Sequence, residues 1–533
     1  MMIWHIFKKD WHLLRLFGLA VAALPFAIAV VHFKMGHQFE ENEALSSLLL
    51  LLELMLYFGV AMLTAVLVHL DGLVSARQDW LARPVRRRDL LAAKLLFLLL
   101  VAQLPLLVAN LAGGLIDGFT FSACFSSALT ENLYFLLGFT LPILAFVSLT
   151  RNLTEALGGA FAIFIAVIGL EFVIAAWNGG NPLGPTAETG VAWIPQTERL
   201  LIYLAAAVAI LGLQYFRRDA RVSRYVLGAA VVLCLITQAL PWRAAYRLQK
   251  ALSHAPDVSA AIAVQFDPAL GTLHSPVSSD PDPRAKVQMG TTSLRAPEES
   301  AEIDIPLAVS GLPSGTILKI DRAETHLVDA NGREGKSISP AGEAGGFEVS
   351  NDPAVQGPVI SFEPLHVRAR ILSQLKTSSV TLQVDYSATV LRLVSTSALP
   401  ALDADQHLPN VGWCKTKLND SRTAIEVRCL AAGSEPECGT ILLANPASGA
   451  HNPVIHGCLN DYSPYFGRYK PPDILMREGA NLNFRDSAGL VSYPVDGSQI
   501  GSAQVLIKSY AAVDHFSTRL VIPSIRLADW SAR

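Results

Sequence analysis

The sequence predicts an α-helical membrane bundle of about seven transmembrane helices, followed by an all-β, sandwich-like extracytoplasmic domain. Three observations predict it. Residues 1–240 are dominated by Leu, Ala, Val and Phe, in runs longer than a helix with one wet face needs. Residues 250–533 are rich instead in Ser, Pro, Asp and Thr, with short apolar stretches. Beyond Ala261 those stretches alternate apolar and polar residues, the period of a half-buried strand. The net charge of −3 over 533 residues implies no nucleic-acid or acidic partner.

Seven segments have bilayer length: roughly 14–32, 46–70, 94–116, 131–150, 154–176, 199–216 and 225–241. They must be helices, because hydrocarbon offers no partner to a free backbone N–H or C=O. Pro25, Pro105 and Pro142 fall inside spans one, three and four and predict kinks there. The basic start of span one also fits a cleaved signal peptide, but the consistent alternation of later spans favours a retained helix.

The short loops set the orientation. Lys8, Lys9 and Arg15 lie at the start of span one, and Arg77, Arg83, Arg86, Arg87, Arg88 and Lys94 between spans two and three. Arg151 follows span four, and Arg217, Arg218, Arg221 and Arg224 separate spans six and seven. The intervening loops carry only Lys34 and Arg199 as basic residues. The positive-inside rule therefore puts the N-terminus in the cytoplasm, and an odd number of spans puts everything after about residue 241 outside.

A linker at 242–260 leads to residues 261–533, long enough for one large or two ordinary sandwiches with a division near 400. The expected strands are 301–309, 317–320, 358–362, 379–386, 424–430, 503–510 and 518–527. Cys414, Cys429, Cys438 and Cys458 all lie here, and an even set in an oxidising compartment predicts two disulfides out of three connectivities. Cys414 and Cys429 straddle the turn-like LNDSR, while Cys438 and Cys458 straddle NPASGAHN, so 414–429 and 438–458 are the favoured pairs. A zinc site using His451, His456 and Cys458 lacks the usual paired-ligand spacing, and no metal is expected.

Motifs for enzymatic chemistry fail on inspection. GREGKS (332–337) resembles the tail of a phosphate-binding loop, but Ala330 stands where the first glycine is needed, and the segment reads as a turn between strands. No G-x-S-x-G, H-E-x-x-H or G-x-G-x-x-G sequence occurs. The chain reads as a non-enzyme with no cofactor of its own.

Glu53 is the most provocative span residue, since an ionised carboxylate in hydrocarbon costs several kcal/mol unless paired or hydrated. Tyr57 lies one turn away and Thr64 on nearly the same face, so a polar stripe along a conduit competes with a neutral, hydrogen-bonded Glu. Glu171 lies nearer an interface, where snorkelling explains it. The stretch MMIWHIFKKDWHLLR interleaves Trp4, Ile6, Phe7 and Trp11 with Lys8 and Lys9, suiting either a helix lying at the lipid interface or a plain extension of span one.

The loop 69–94 carries more arginine than orientation needs. A short helix around GLVSARQDWLA, a break at Pro84 and a restart capped by Asp89 would leave Arg77, Arg83 and Arg86–Arg88 free to meet carboxylates. At this point the chain resembles the permease subunits of ABC transporters of the type-2 exporter class. The matching residues are Trp4, Ile6, Phe7, Lys9 and Asp10; Asp71-Gly72; Trp80-Leu81-Ala82-Arg83-Pro84; and Leu90-Leu91-Ala92-Ala93-Lys94. The resemblance covers about residues 1–215. It implies an interfacial elbow helix over 1–13 and a transmembrane domain over 14–241. It also implies a coupling helix between spans two and three, through which Trp80, Arg83, Pro84, Arg86, Arg87 and Arg88 meet a separate cytoplasmic ATPase. ATP would then bind only that partner, and the permease would act as a homo- or heterodimer. Family members commonly stop after six spans; this chain adds a seventh and a large outer domain. The expected function is ATP-driven export, and the alternative is a non-transporting anchor for a periplasmic binding or assembly domain.

Overall fold

The computed structural model describes residues 2–35, 43–70, 86–116, 118–177, 193–217, 219–238, 247–248, 251, 259–267, 300–329, 334–340, 348–351, 360–368, 378–409, 411–419, 422–430, 438–452, 455–458, 480–484 and 494–526. The N-terminal half is helical: α1 (Met2–Met35), α2 (Glu43–His69), α3 (Arg87–Leu98), α4 (Leu104–Ile116), α5 (Phe121–Phe135), α6 (Leu141–Val147), α7 (Leu153–Trp177), α8 (Trp193–Gly212) and α9 (Ala220–Gln238). Single π-turns, Leu99–Gln103 and Leu136–Thr140, join α3 to α4 and α5 to α6, so each pair is one span; a third, Leu213–Arg217, ends α8.

Six helices among the described residues are long and apolar enough to cross a bilayer: Met2–Val31, Ser47–His69, Arg87–Ile116, Phe121–Val147, Thr197–Arg217 and Ala220–Thr237. Of the seven expected spans the fifth, 154–176, falls on α7, whose described apolar stretch runs from Leu153 to Ile163. α1 continues unbroken from Met2 through Pro25, so residues 2–13 are the first turns of the same helix that carries span one. α3 starts one turn before the cap expected at Asp89. Arg86 takes the extended conformation at the N-cap, and Asp89 sits in the first turn, where a carboxylate complements the helix dipole.

The C-terminal half is antiparallel β, and its described strands form three sheets. Its strands are β1 (Ala263–Phe266), β2 (Ser300–Ser310), β3 (Thr316–Asp329), β4 (Glu334–Pro340), β5 (Glu348–Ser350), β6 (Ile360–Arg368) and β7 (Ser379–Pro400). They continue with β8 (Asp405–Leu408), β9 (Gly412–Leu418), β10 (Ala424–Leu430), β11 (Cys438–Ala444), β12 (Ile455–Cys458), β13 (Ala480–Asn483) and β14 (Gln504–Arg526). A seven-stranded sheet, in the order β12-β11-β14-β7-β3-β4 with β5 on β3, is the backbone of the domain.

Its two longest strands run through two separate cores. In one, Leu307 and Val309 of the β1-β2-β6 sheet meet Leu318, Leu382, Val384 and Leu520. In the other, Cys414, Ile425 and Leu482 of the β13-β10-β9-β8 sheet meet Leu399, Leu443, Val505 and Ile507. Both cores follow from apolar residues on alternate strand positions, which place them on one face. The two expected strands at 503–510 and 518–527 are a single strand, β14, paired with β7 along nearly its whole length. Gly311, at φ +76°, closes the end of β2 where the backbone of Ala261 crosses; a Cβ there would collide with the Ala261 carbonyl. On the polar face Arg519 donates to both carboxylate oxygens of Asp385 at 2.6 and 2.9 Å, and this partner raises its pKa.

Candidate functional site

The helices alternate in direction, and their polar ends meet at one end of the bundle. Asp10 of α1 and Lys94 of α3 form an ion pair of 2.8 Å, with both side chains almost fully buried. At the same end His69 closes α2 against the Thr150 hydroxyl (3.2 Å), and Arg224 of α9 approaches Glu155 of α7 (3.9 Å). Phe7 and Trp11 pack on Phe97, with ring centroids 5.8 and 6.5 Å apart, so the first turns of α1 are seated against α3 by apolar contact as well as charge. Asp10 and Lys94 both belong to stretches singled out in the sequence. Their pairing across 84 positions was not foreseen, and only the shared oddity of two charges flanking apolar runs pointed to it.

Arg86, Arg87 and Arg88 open α3 at this end. Arg87 reaches the Gln214 carbonyl (3.5 Å) and the Arg88 guanidinium lies 5.1 Å over the Phe216 ring, both on the π-turn that ends α8. Arg86 and Arg88 are exposed, and among the described residues no ion pair involves any of the three. The expected contact residues Trp80, Arg83 and Pro84 lie outside the described residues. The arrangement leaves two exposed guanidiniums beside a partly buried third, a chemistry suited to bidentate pairing with carboxylate or phosphate groups.

Halfway along the bundle, spans three and four meet at their π-turns. Each π-turn is followed by the same step, Gln103-Leu104-Pro105 and Thr140-Leu141-Pro142. Proline has no N–H to give and its ring crowds the carbonyl four residues back, so the turn before it widens. The Leu104 N–H accordingly reaches the Leu99 carbonyl and the Leu141 N–H the Leu136 carbonyl, five residues back in each case. Across the gap Gln103 Nε2 donates to Thr140 Oγ1 (2.9 Å) and Asn132 Nδ2 donates to the Gln103 carbonyl (2.8 Å). Glu53 is half-buried on α2, and Tyr57 packs edge-on to Phe139 (4.7 Å) and tilted on Phe135 (5.5 Å), against the π-turn of span four. Thr64 gives its hydroxyl to the Val60 carbonyl of its own helix, 2.7 Å away.

At the opposite end of the bundle, the connection from α4 to α5 meets the β-domain. Lys415 donates to the Gly118 carbonyl, lies 5.2 Å over the Phe119 ring and approaches Asp405 (3.3 Å). Trp413 and Leu430 pack with Phe119, Ala123, Cys124 and Ala128. These docking residues flank the disulfide Cys414–Cys429, which joins directly opposite positions of β9 and β10. The backbone likewise sets Cys438 opposite Cys458 on β11 and β12, though the side chains of that pair are outside the described ones. Among the described residues no group of His, Cys, Asp and Glu is arranged to hold a metal ion. No family model, curated protein or solved structure matches this chain, so its likeness to exporter permeases rests on its motifs alone.

Proposed function

We propose that this chain is the membrane-spanning, permease-like subunit of an ATP-driven export system. A separate cytoplasmic ATPase drives it through the segment between α2 and α3. The observation that carries this reading is the state of the arginines that open α3. Arg87 and Arg88 are held by the end of α8, on a helix keyed into α1 by the buried Lys94–Asp10 pair, and among the described residues none of the three has a carboxylate partner. A push on those guanidiniums is therefore a push on span three. In this reading the basic end faces the cytoplasm, seven spans cross the inner membrane, two copies pair, and the β-domain stands in the periplasm. The test is co-purification of the full-length protein with its ATPase. Replacing Arg83 and Arg86–Arg88 by Ser is expected to abolish association while membrane insertion is unchanged. An unaltered complex would leave the helices as an anchor for the β-domain.

A further inference from the structure

We propose that spans three and four form a hinged arm, which bends at its two facing π-turns and carries the β-domain on its tip through the disulfide-braced hairpin. What drives the arm is immaterial to the inference, so it stands apart from the ATPase reading.

Three features, at three heights, make the arm. Below the π-turns, span three is fixed to span one, because Lys94 is buried against Asp10 and Phe97 against Phe7 and Trp11. At mid-height both helices lose regular i to i−4 bonding at the same level, each two residues before a proline, and π-turns and prolines are where helices bend. The wide turns are not independent. Gln103 is bonded to Thr140 by its side chain and to Asn132 by its carbonyl, so the two helices are linked at the bending level by side-chain bonds that can be exchanged. Above the π-turns the helices are joined by the short α4–α5 connection, whose Gly118 carbonyl and Phe119 ring are held by Lys415. Trp413 and Lys415 are the immediate neighbours of Cys414, and Leu430 of Cys429. The disulfide thus stiffens the part of the β-domain that grips the arm. One end is keyed to α1 by the buried ion pair, the other is gripped by the β-domain, and the two facing π-turns lie between.

The test measures distances by pulsed electron paramagnetic resonance on the full chain in lipid nanodiscs, with nitroxide amino acids at Arg151 and Gln406. The wild type is expected to show two distance populations. Pro105→Ala with Pro142→Ala, which restores the missing N–H groups, is expected to collapse them to one. If that variant fails to insert, an oxidised cross-link in a Gln103→Cys/Thr140→Cys chain with Cys124 and Cys234 replaced by Ala reads the same quantity: one population in that chain, two in either single-cysteine variant under the same oxidising conditions. A single population in the wild type, or two that survive both the proline replacements and the cross-link, would overturn the hinge.

Discussion

At the scale of single residues, the pairing of Asp10 with Lys94 decides most. Two charges with almost no exposure, in a bundle of apolar helices, are tolerable only together. Removing one leaves the other buried and uncompensated, at a cost of about 3–5 kcal/mol, whereas replacing both with apolar groups of similar size is near neutral. Lys94→Met alone is therefore expected to lower the unfolding temperature of the detergent-solubilised protein sharply. Asp10→Leu added to Lys94→Met is expected to restore most of it. A double replacement as damaging as the single would show that the charges matter less than the shapes. Each of these residues was legible in the sequence as a member of a conspicuous stretch. Their contact was not, because helical periodicity reports the face of one helix and never its partner. Glu53 shows the same limit: its spacing from Tyr57 was readable, but the aromatic cluster that receives Tyr57 comes from a different span.

At the scale of elements, legibility depended on whether the apolar period survives intact. The helical spans kept theirs, and Pro105 and Pro142 announced the irregular turns before them. Pro25, read the same way, sits inside α1, which runs on as α-helix with no π-turn before it. β14 read as two strands because its pairing with β7 shifts register at Ser509/Tyr510, Ala512/Asp514 and Ile522/Ile525. The extra residues that β14 carries at the last two of these shifts move its apolar residues to the other parity, so one long strand looks interrupted. The hairpin β9–β10 was the reverse case: symmetric cysteines about a turn announced a disulfide that the fold contains. That bond closes a loop of 15 residues and contributes about 3 kcal/mol by chain entropy. Cys414→Ala with Cys429→Ala is expected to destabilise the β-domain by about that amount in urea unfolding, with loss of bundle contact preceding global unfolding. Peptide mapping of the non-reduced protein is expected to show Cys438 linked to Cys458 as well, since their strands hold them directly opposite. Finding both thiols free would remove that bond from the account.

At the scale of the whole molecule, the six membrane-capable helices among the described residues carry a β-rich domain braced by a disulfide, the pattern of a membrane protein with one part in an oxidising compartment. The division into halves was legible because lipid and water select such different compositions. The two cores of the β-domain share β7 and β14, which run from one into the other. The geometry sets the basic helix ends and the β-domain at opposite ends of span three, so whatever grips Arg86–Arg88 acts on the far end of the helix that holds Lys415. A partner for the arginines is thus the point on which the transport reading turns. The most direct measurement is site-specific photo-crosslinking from position 88 in intact cells, with the captured species identified by mass. The account predicts an adduct with a soluble nucleotide-hydrolysing protein that is lost when the gene for that protein is deleted; capture of lipid alone would contradict it.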